Sequence, residues 1–182
     1  MKIRLATADD AAAIASVYAP YVTGTAVSFE VEPPDAAMMR SRIEGGNALY
    51  PWFLACDDNG RMLGYAAASA FRTRPAYRFT VESSVYLAAD AVGRGIGRRL
   101  YRTLLETLEA QGFMQAVGAI TLPNPASVAL HEALGFTQAG TYRQVGYKLG
   151  AWHSVGLWQR ALAPLAERPH EPKPVAEVWH GG

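Results

Sequence analysis

The chain has 182 residues, half of them hydrophobic and 18% charged, which suits one compact domain with a sizeable core and excludes a disordered chain. A formal net charge of +1 argues against wholesale electrostatic binding to nucleic acid. The single cysteine, Cys56, rules out an intrachain disulfide or a multi-thiolate metal site, and its setting in Trp52-Phe-Leu-Ala-Cys56 reads as a buried strand.

Lys2–Ala6 reads as a short first strand. Thr7-Ala-Asp-Asp10 has the form of a capping box opening a helix, with Ile14, Val17, Tyr18 and Tyr21 at helical spacing and Pro20 expected to disturb the last turn. Pro34-Asp35 opens a second short helix carrying Met39 and Ile43, and Gly45-Gly46-Asn47 ends it. Trp52–Cys56, the turn Asp57-Asp-Asn-Gly60 and Met62–Ala70 form a hairpin. Pro75 interrupts the chain, which resumes as a strand over Phe79–Leu87. Val81, Ser83, Val85 and Leu87 lie on one face of it, and Thr80, Glu82, Ser84 and Tyr86 on the other.

From Gly95 the period becomes helical. Ile96, Leu100, Leu104 and Leu108 form an apolar stripe that Leu105 widens and Gly112 stops. Ala116–Leu122 reads as a strand and Pro125–Leu134 as a short helix closed by Gly135, with two further strands around Gly140–Leu149 and His153–Arg160. This order of elements indicates a mixed α/β domain over residues 1–163. Residues 164–182 hold four of the eleven prolines and read as an extended tail. Acidic Asp9 and Asp10 leave no room for a signal-peptide core, and Ala110–His131 is too polar to span a membrane. The expectation is a cytoplasmic protein with neither membrane nor nucleic-acid partner.

Chemistry concentrates in Tyr86-Leu-Ala-Ala-Asp-Ala-Val-Gly-Arg-Gly-Ile-Gly-Arg-Arg-Leu100, where a strand runs through Gly93, Gly95 and Gly97 into an amphipathic helix. Glycines let the backbone approach a ligand, and the first N–H groups of a helix lack internal partners. That end also carries partial positive charge, so a phosphate group is a natural occupant, with Arg94, Arg98 and Arg102 adding charge. A nucleotide P-loop would need Gly-Lys-Ser/Thr, yet Gly97 is followed by Arg98-Arg99. The dinucleotide fingerprint would need a third glycine where Arg98 stands. His131, His153, His170 and His180 lack ligand spacing, so no metal is expected.

The loop resembles the acetyl-CoA pyrophosphate loop of the GNAT superfamily of N-acetyltransferases, Gln/Arg-x-x-Gly-x-Gly/Ala, with Gly95 and Gly97 fitting and Val92 departing at the Gln/Arg position. Leu122-Pro-Asn-Pro-Ala-Ser127 and Leu130-His-Glu-Ala-Leu-Gly-Phe136 are similar to its second CoA-binding segment. Val27-Ser-Phe-Glu, Tyr77-Arg-Phe-Thr-Val-Glu-Ser-Ser-Val-Tyr86, Leu108-Glu-Ala-Gln-Gly-Phe113 and Gly146-Tyr-Lys-Leu-Gly-Ala-Trp-His153 follow one subfamily in order. These resemble the phosphinothricin N-acetyltransferases and their relatives acting on methionine sulfoximine and methionine sulfone, from about Ile3 to Leu162.

The resemblance implies the GNAT acyl-CoA N-acyltransferase fold, a mixed and mostly antiparallel sheet flanked by helices. It implies acetyl-CoA as co-substrate and a small amino-acid acceptor acetylated by direct attack in a ternary complex. Glu82 takes the position of the family's general base, and the alternative is a strand carboxylate paired with Arg72, Arg74 or Arg78. His131 is the group implied to protonate the departing thiolate or to join Glu82 in proton transfer, against the alternative of helix packing. Implied cofactor contacts are the backbone of Val85, Tyr86 and Leu87, where the family strand bulges and splays, the run Gly93, Arg94, Gly95, Ile96, Gly97 and Arg98, and Asn124. Phe29, Glu30, Arg72, Arg74, Tyr77 and Ser84 line the implied acceptor pocket, the arginines otherwise being a solvated basic face. Relatives are homodimers, which makes Trp152, His153 and Val155 candidate interface residues, although Trp152 and Trp158 read as core on their own. Rival readings are an acetyltransferase of a protein N-terminus, a polyamine or an aminoglycoside, and a non-catalytic acyl-CoA sensor.

Overall fold

Alternation along the strands and the helical stripe together demand a sheet with helices on both faces, and the computed structural model has that form. It describes residues 1–46 and 48–181; Asn47, read above as part of a helix end, lies outside the described residues. The strands are β1 (Lys2–Leu5), β2 (Trp52–Cys56), β3 (Met62–Ala70), β4 (Thr80–Leu87), β5 (Gln115–Leu122), β6 (Thr137–Lys148) and β7 (Ala151–Ala161). Between them stand α1 (Ala11–Thr23), α2 (Ala36–Gly46), α3 (Ile96–Gln111) and α4 (Pro125–Glu132). The seven strands form one sheet in the order β1-β2-β3-β4-β5-β7-β6. Every neighbouring pair is antiparallel except β4 and β5, which run parallel. The fold is α/β of the expected mixed, mostly antiparallel type.

Strand β2 shows how the period of two sorts residues between faces. Phe53 and Ala55 join the core under α3, while Leu54 and Cys56 join the core under α1 and α2. Helix α3 is held by Leu100, Leu104, Leu105 and Leu108, each fully buried, and such a side chain contributes about 1.5–3 kcal/mol on leaving water. Thr7 and Asp10 form the expected capping box, the Thr7 amide donating to Asp10 Oδ2 at 2.8 Å. Pro20 does not end α1, which continues to Thr23, because the amide that proline lacks removes one bond without displacing the packed Tyr18 and Val22. The last two strands are longer than their apolar pattern suggested, since β6 is an exposed edge whose ladder with β7 carries polar residues too.

The proline-rich tail is tied back onto the domain. Lys173 N–H donates to Gln111 O and Val175 N–H to Ala48 O, both at 2.7 Å. Gln111 Nε2 donates to the carbonyls of Leu49 and Lys173, and Trp179 packs edge-on against Phe53 at 4.7 Å. Among the described residues no helix is long and apolar enough to cross a membrane.

Candidate active site

Strand β4 is central because only half of it is paired on the β5 side. The parallel ladder runs through Thr80↔Gln115, Val81↔Ala116 and Glu82↔Val117 and then stops, so the two strands part beyond Glu82. Ala88 N–H donates to Leu63 O in continuation of the β3–β4 register, so the backbones of Glu82, Ser84 and Tyr86 bond to β3. Those of Val81 and Ser83 then close the last rungs with β5, and those of Val85 and Leu87 turn toward the opening. A buried peptide group without a partner is costly, so this edge is built to receive one. Tyr21 already serves Leu87, its hydroxyl donating to Leu87 O at 2.7 Å and accepting from Leu87 N–H at 3.4 Å. Val85 is left as the open rung.

Two expectations change here. The Tyr86 backbone does not face the opening, because the register commits it to Tyr65 of β3. Its ring lies instead on the α1 face against Tyr18, Tyr21 and Tyr65. Nor does β4 bulge, since its register with β3 is unbroken from Gly64↔Leu87 to Ala70↔Val81. Lost pairing with β5 alone makes the splay.

Glu82 is half-buried on the α1–α2 face, opposite Ser69 of β3. Among the described residues it makes neither an ion pair nor a side-chain hydrogen bond. Burial pushes its carboxyl above the usual range, and the charge of Arg72 opposes that only in part. The alternative of a structural pair with Arg78 falls away, because Arg78 grips Glu171 of the tail through Nε at 2.9 and 3.0 Å. Arg72, Arg74 and Tyr77 sit on the exposed β3–β4 connection, with the Arg72 guanidinium over Phe71 at 4.8 Å. Ser84 and Ser69 line a cleft of about 520 Å³ on the same face, walled by Tyr18, Trp52, Tyr65 and Tyr86 and reached by Arg42.

Phe29 and Glu30 approach from the α1–α2 connection. Glu30 receives two bonds from Arg42, at 2.8 and 2.9 Å, and one from the Tyr18 hydroxyl at 2.9 Å, which together hold its carboxyl below the ordinary range. Phe29 packs its ring on Gly146 of β6, where any side chain would collide with it. Lys148, only 8% exposed, donates from Nζ to Ser28 O at 2.6 Å. Arg42 and Lys148 thus fix the loop, and the sequence reading missed both. Their signal was weak, since one sits on a polar helix face and the other in a hairpin.

Between β4 and α3, Gly93 and Gly95 take φ +78° and +75°, and nothing lies within 4 Å of where their Cβ atoms would be. That leaves an open cradle before α3, whose first N–H groups point out of the helix. Ile96 and Gly97 are buried and contribute backbone, whereas Arg94 and Arg98 are exposed at the rim, as is Val92. Asn124 caps α4, its Oδ1 accepting from Ser127 N–H at 3.1 Å, which leaves Nδ2 to donate elsewhere. The Val85 rung, the glycine cradle and the start of α3 follow one another along the chain, and exposed backbone groups of this kind are able to hold an extended phosphate-bearing thioester such as acetyl-CoA. Among the described residues no group of His, Cys, Asp or Glu is arranged to hold a metal ion.

His131 is on the other face from Glu82 and does not meet it. It is 4% exposed, with Nδ1 at 2.8 Å from Ser127 O and Nε2 at 3.1 Å from the Tyr101 hydroxyl. Burial pushes its ring below the usual imidazole range. Trp158 is core, but Trp152 is 63% exposed beside Tyr147 on the β6–β7 hairpin, where Tyr142, Val145 and Leu149 are exposed as well.

Known proteins resemble this chain over most of its length. The family model described as an acetyltransferase (GNAT) domain matches residues 3–155. A phosphinothricin N-acetyltransferase of Streptomyces viridochromogenes is 43% identical over 98% of this chain and 94% of its own length. An L-methionine sulfoximine/L-methionine sulfone acetyltransferase of Pseudomonas aeruginosa is 36% identical over 92% and 98% respectively. A crystal structure of a phosphinothricin acetyltransferase from Sinorhizobium meliloti, in complex with acetyl-CoA, superposes with a TM-score of 0.87 at 40% identity, covering 94% of each chain.

Proposed function

The chain belongs to the GNAT acetyltransferases and is an acetyl-CoA-dependent N-acetyltransferase, and from that premise we propose that it acetylates the α-amine of a small amino-acid analogue of the phosphinothricin or methionine sulfoximine type. One observation carries the reading: Glu82 is a half-buried carboxylate without a partner among the described residues, on the last rung before β4 leaves β5.

Acetyl-CoA supplies the acetyl group as a thioester whose sulfur must leave. The acceptor must arrive as a free amine, and an α-amino group with pKa ~7.7–8.0 is already about a tenth neutral at pH 7, whereas a lysine side chain at ~10.4 is not. A modest base therefore suffices. Glu82, its basicity raised by burial, takes the ammonium proton through a water, and the amine attacks directly in a ternary complex. Val85 N–H, unpaired in the opening, is the donor for the thioester carbonyl. Gly93, Gly95, Gly97 and the rim guanidinium groups of Arg94 and Arg98 take the pyrophosphate, with Asn124 Nδ2 on the pantetheine arm. Arg72 and Arg74 suit a carboxylate and a phosphinate or sulfoximine oxygen because their donors are planar and paired, and Tyr77, Phe29, Ser84 and the Arg42-bound Glu30 close the pocket.

His131 answers the need for a proton at the departing sulfur. Residues 1–163 act as one catalytic domain to which the tail is strapped, in a cytoplasmic homodimer paired through the exposed aromatic hairpin around Tyr147 and Trp152. Thiol release from acetyl-CoA against L-phosphinothricin, L-methionine sulfoximine, L-methionine sulfone, spermidine and a peptide N-terminus tests the assignment. Turnover on the first three supports it. Turnover confined to the last two overturns the acceptor, and tight acetyl-CoA binding without turnover on any acceptor makes the chain a sensor.

A further inference from the structure

Beneath the point where β4 and β5 part lies a buried chain of polar side chains. Ser83 Oγ is 2.8 Å from the Tyr101 hydroxyl, which is 3.1 Å from His131 Nε2. Ser83 Oγ is also 3.3 Å from Val117 O, on the last rung of the parallel ladder. Ser83 and His131 are each 4% exposed and Tyr101 is wholly buried, so no water competes for these bonds. Gly118, next along β5, has no side chain, and a Cβ there would stand 2.5 Å from His131 Nε2. The imidazole thus fills the space that the glycine vacates.

Donor and acceptor counting restricts where the protons can be. Ser127 O can only accept, so His131 Nδ1 at 2.8 Å carries a hydrogen, while Ser127 Oγ is farther away at 3.5 Å. In the neutral ring Nε2 is then bare, Tyr101 donates to it, and Ser83 donates to Tyr101. When Nε2 takes a proton it donates to the Tyr101 oxygen. The Tyr101 hydroxyl then swings to Ser83, and the Ser83 hydroxyl swings to Val117 O. Every donor has an acceptor in both arrangements, and only two hydroxyl hydrogens rotate. The proton returns along the same bonds: Nε2 gives it to the Tyr101 oxygen, Tyr101 gives its own to Ser83, and Ser83 gives its own to the leaving sulfur at the fork, so the ring loses one positive charge, the thiolate loses one negative charge and each hydroxyl ends with one hydrogen.

We propose that Tyr101 and Ser83 are positioning residues that hold His131 in the Nδ1–H tautomer and let the buried ring take up and return one proton without moving. This rests on the N-acetyltransferase reading above, which needs a group that returns a proton to the leaving sulfur. An imidazole whose second nitrogen faces a fixed donor or an apolar wall cannot serve so, because one of its two protonation states is then left unsatisfied. Here the second nitrogen meets a hydroxyl, which can donate or accept. The groups around the ring are few. Helix α3 offers Tyr101, β4 the Ser83 hydroxyl, β5 only Gly118, and the ring of Phe136 packs edge-on at 5.0 Å. The charge of Arg160 of β7 reaches Tyr101, and among the described residues no carboxylate is hydrogen-bonded to His131.

The test is Tyr101→Phe, which keeps the ring stacked on Phe136 and deletes only the hydroxyl. Without it the imidazolium Nε2–H is left unsatisfied, so the midpoint of His131 should fall and the alkaline limb of the kcat profile, where the ring loses the proton it must return, should move to lower pH. Expected alongside is a loss in kcat of about tenfold, a fraction of the ~10²–10⁴ that acid–base catalysis supplies, with KM for acetyl-CoA and acceptor unchanged. Nitrogen-15 shifts of the His131 ring should show a bare, hydrogen-bonded Nε2 in the wild type and a changed Nε2 in the variant. Ser83→Ala, which spares the Tyr101–His131 bond, should show the same changes at smaller amplitude. Unchanged nitrogen shifts in Tyr101→Phe overturn the relay. Changed shifts with an unaltered pH profile overturn its service to the reaction. The nitrogen titration needs no acceptor, so it distinguishes failure of the relay from failure of the proposed activity.

Discussion

The two ends of β4 belong to one continuous strand but have opposite fates. From Thr80 to Glu82 the strand is paired on both sides, and from Ser84 to Leu87 it is paired on one. The paired end is rigid and holds a carboxylate at fixed height above the sheet. The open end presents backbone groups that Tyr21 satisfies only at Leu87. A general base needs the first setting and a ligand lying along a strand edge needs the second. One residue, at the fork, separates them.

The comparison breaks most severely if its paired end loses its charge. Glu82→Gln is expected to cut kcat by about 10²–10³ while acetyl-CoA binding is retained, as steady-state kinetics and calorimetry would show. Equal turnover would remove Glu82 from the mechanism. Because burial raises the Glu82 carboxyl in the native state, ionisation costs stability as pH rises through that window, so the same variant should melt higher than wild type at pH 7. The gain should vanish below about pH 4, where both states are protonated.

Filling the fork itself comes next. Gly118→Ala would push a methyl group into the His131 ring, and a denaturant midpoint lower by the equivalent of about 1–3 kcal/mol is expected. At the open end, Gly95→Ala asks an L side chain to hold φ +75° at the head of α3, a strain of about 1–2 kcal/mol. Calorimetry should then report about tenfold weaker acetyl-CoA binding with acceptor KM intact. Tyr21→Phe is the mildest change. It frees the Leu87 peptide group at a cost of about 1 kcal/mol in melting experiments, and no loss at all would mean that the hydroxyl does not hold the open edge.

Much of this was readable without coordinates. The stripe on α3, the hairpin between β2 and β3 and the capping box at Thr7 depend on neighbours a few residues apart, so local period and turn chemistry reveal them. Val85 and the glycine loop were singled out by motif order along the chain. Tyr86 was misjudged because strand register, which decides where a peptide group points, depends on a partner strand some twenty residues away. Arg42 and Lys148 escaped notice because they hold the Glu30 loop from distant positions, Lys148 across 120 residues.

The sequence by itself determined the elements, their order, the family and the chemical identity of Glu82 and the glycine loop, since each is written in spacing or residue type. Only the tertiary structure decided that β4 and β5 part after Glu82, that Glu82 faces one side of the sheet and His131 the other, and that Tyr101 and Ser83 connect His131 to the fork. The physical reason is burial. Which polar groups lose water, and which partner replaces it, is fixed by packing between segments far apart in the chain, and no local pattern records it.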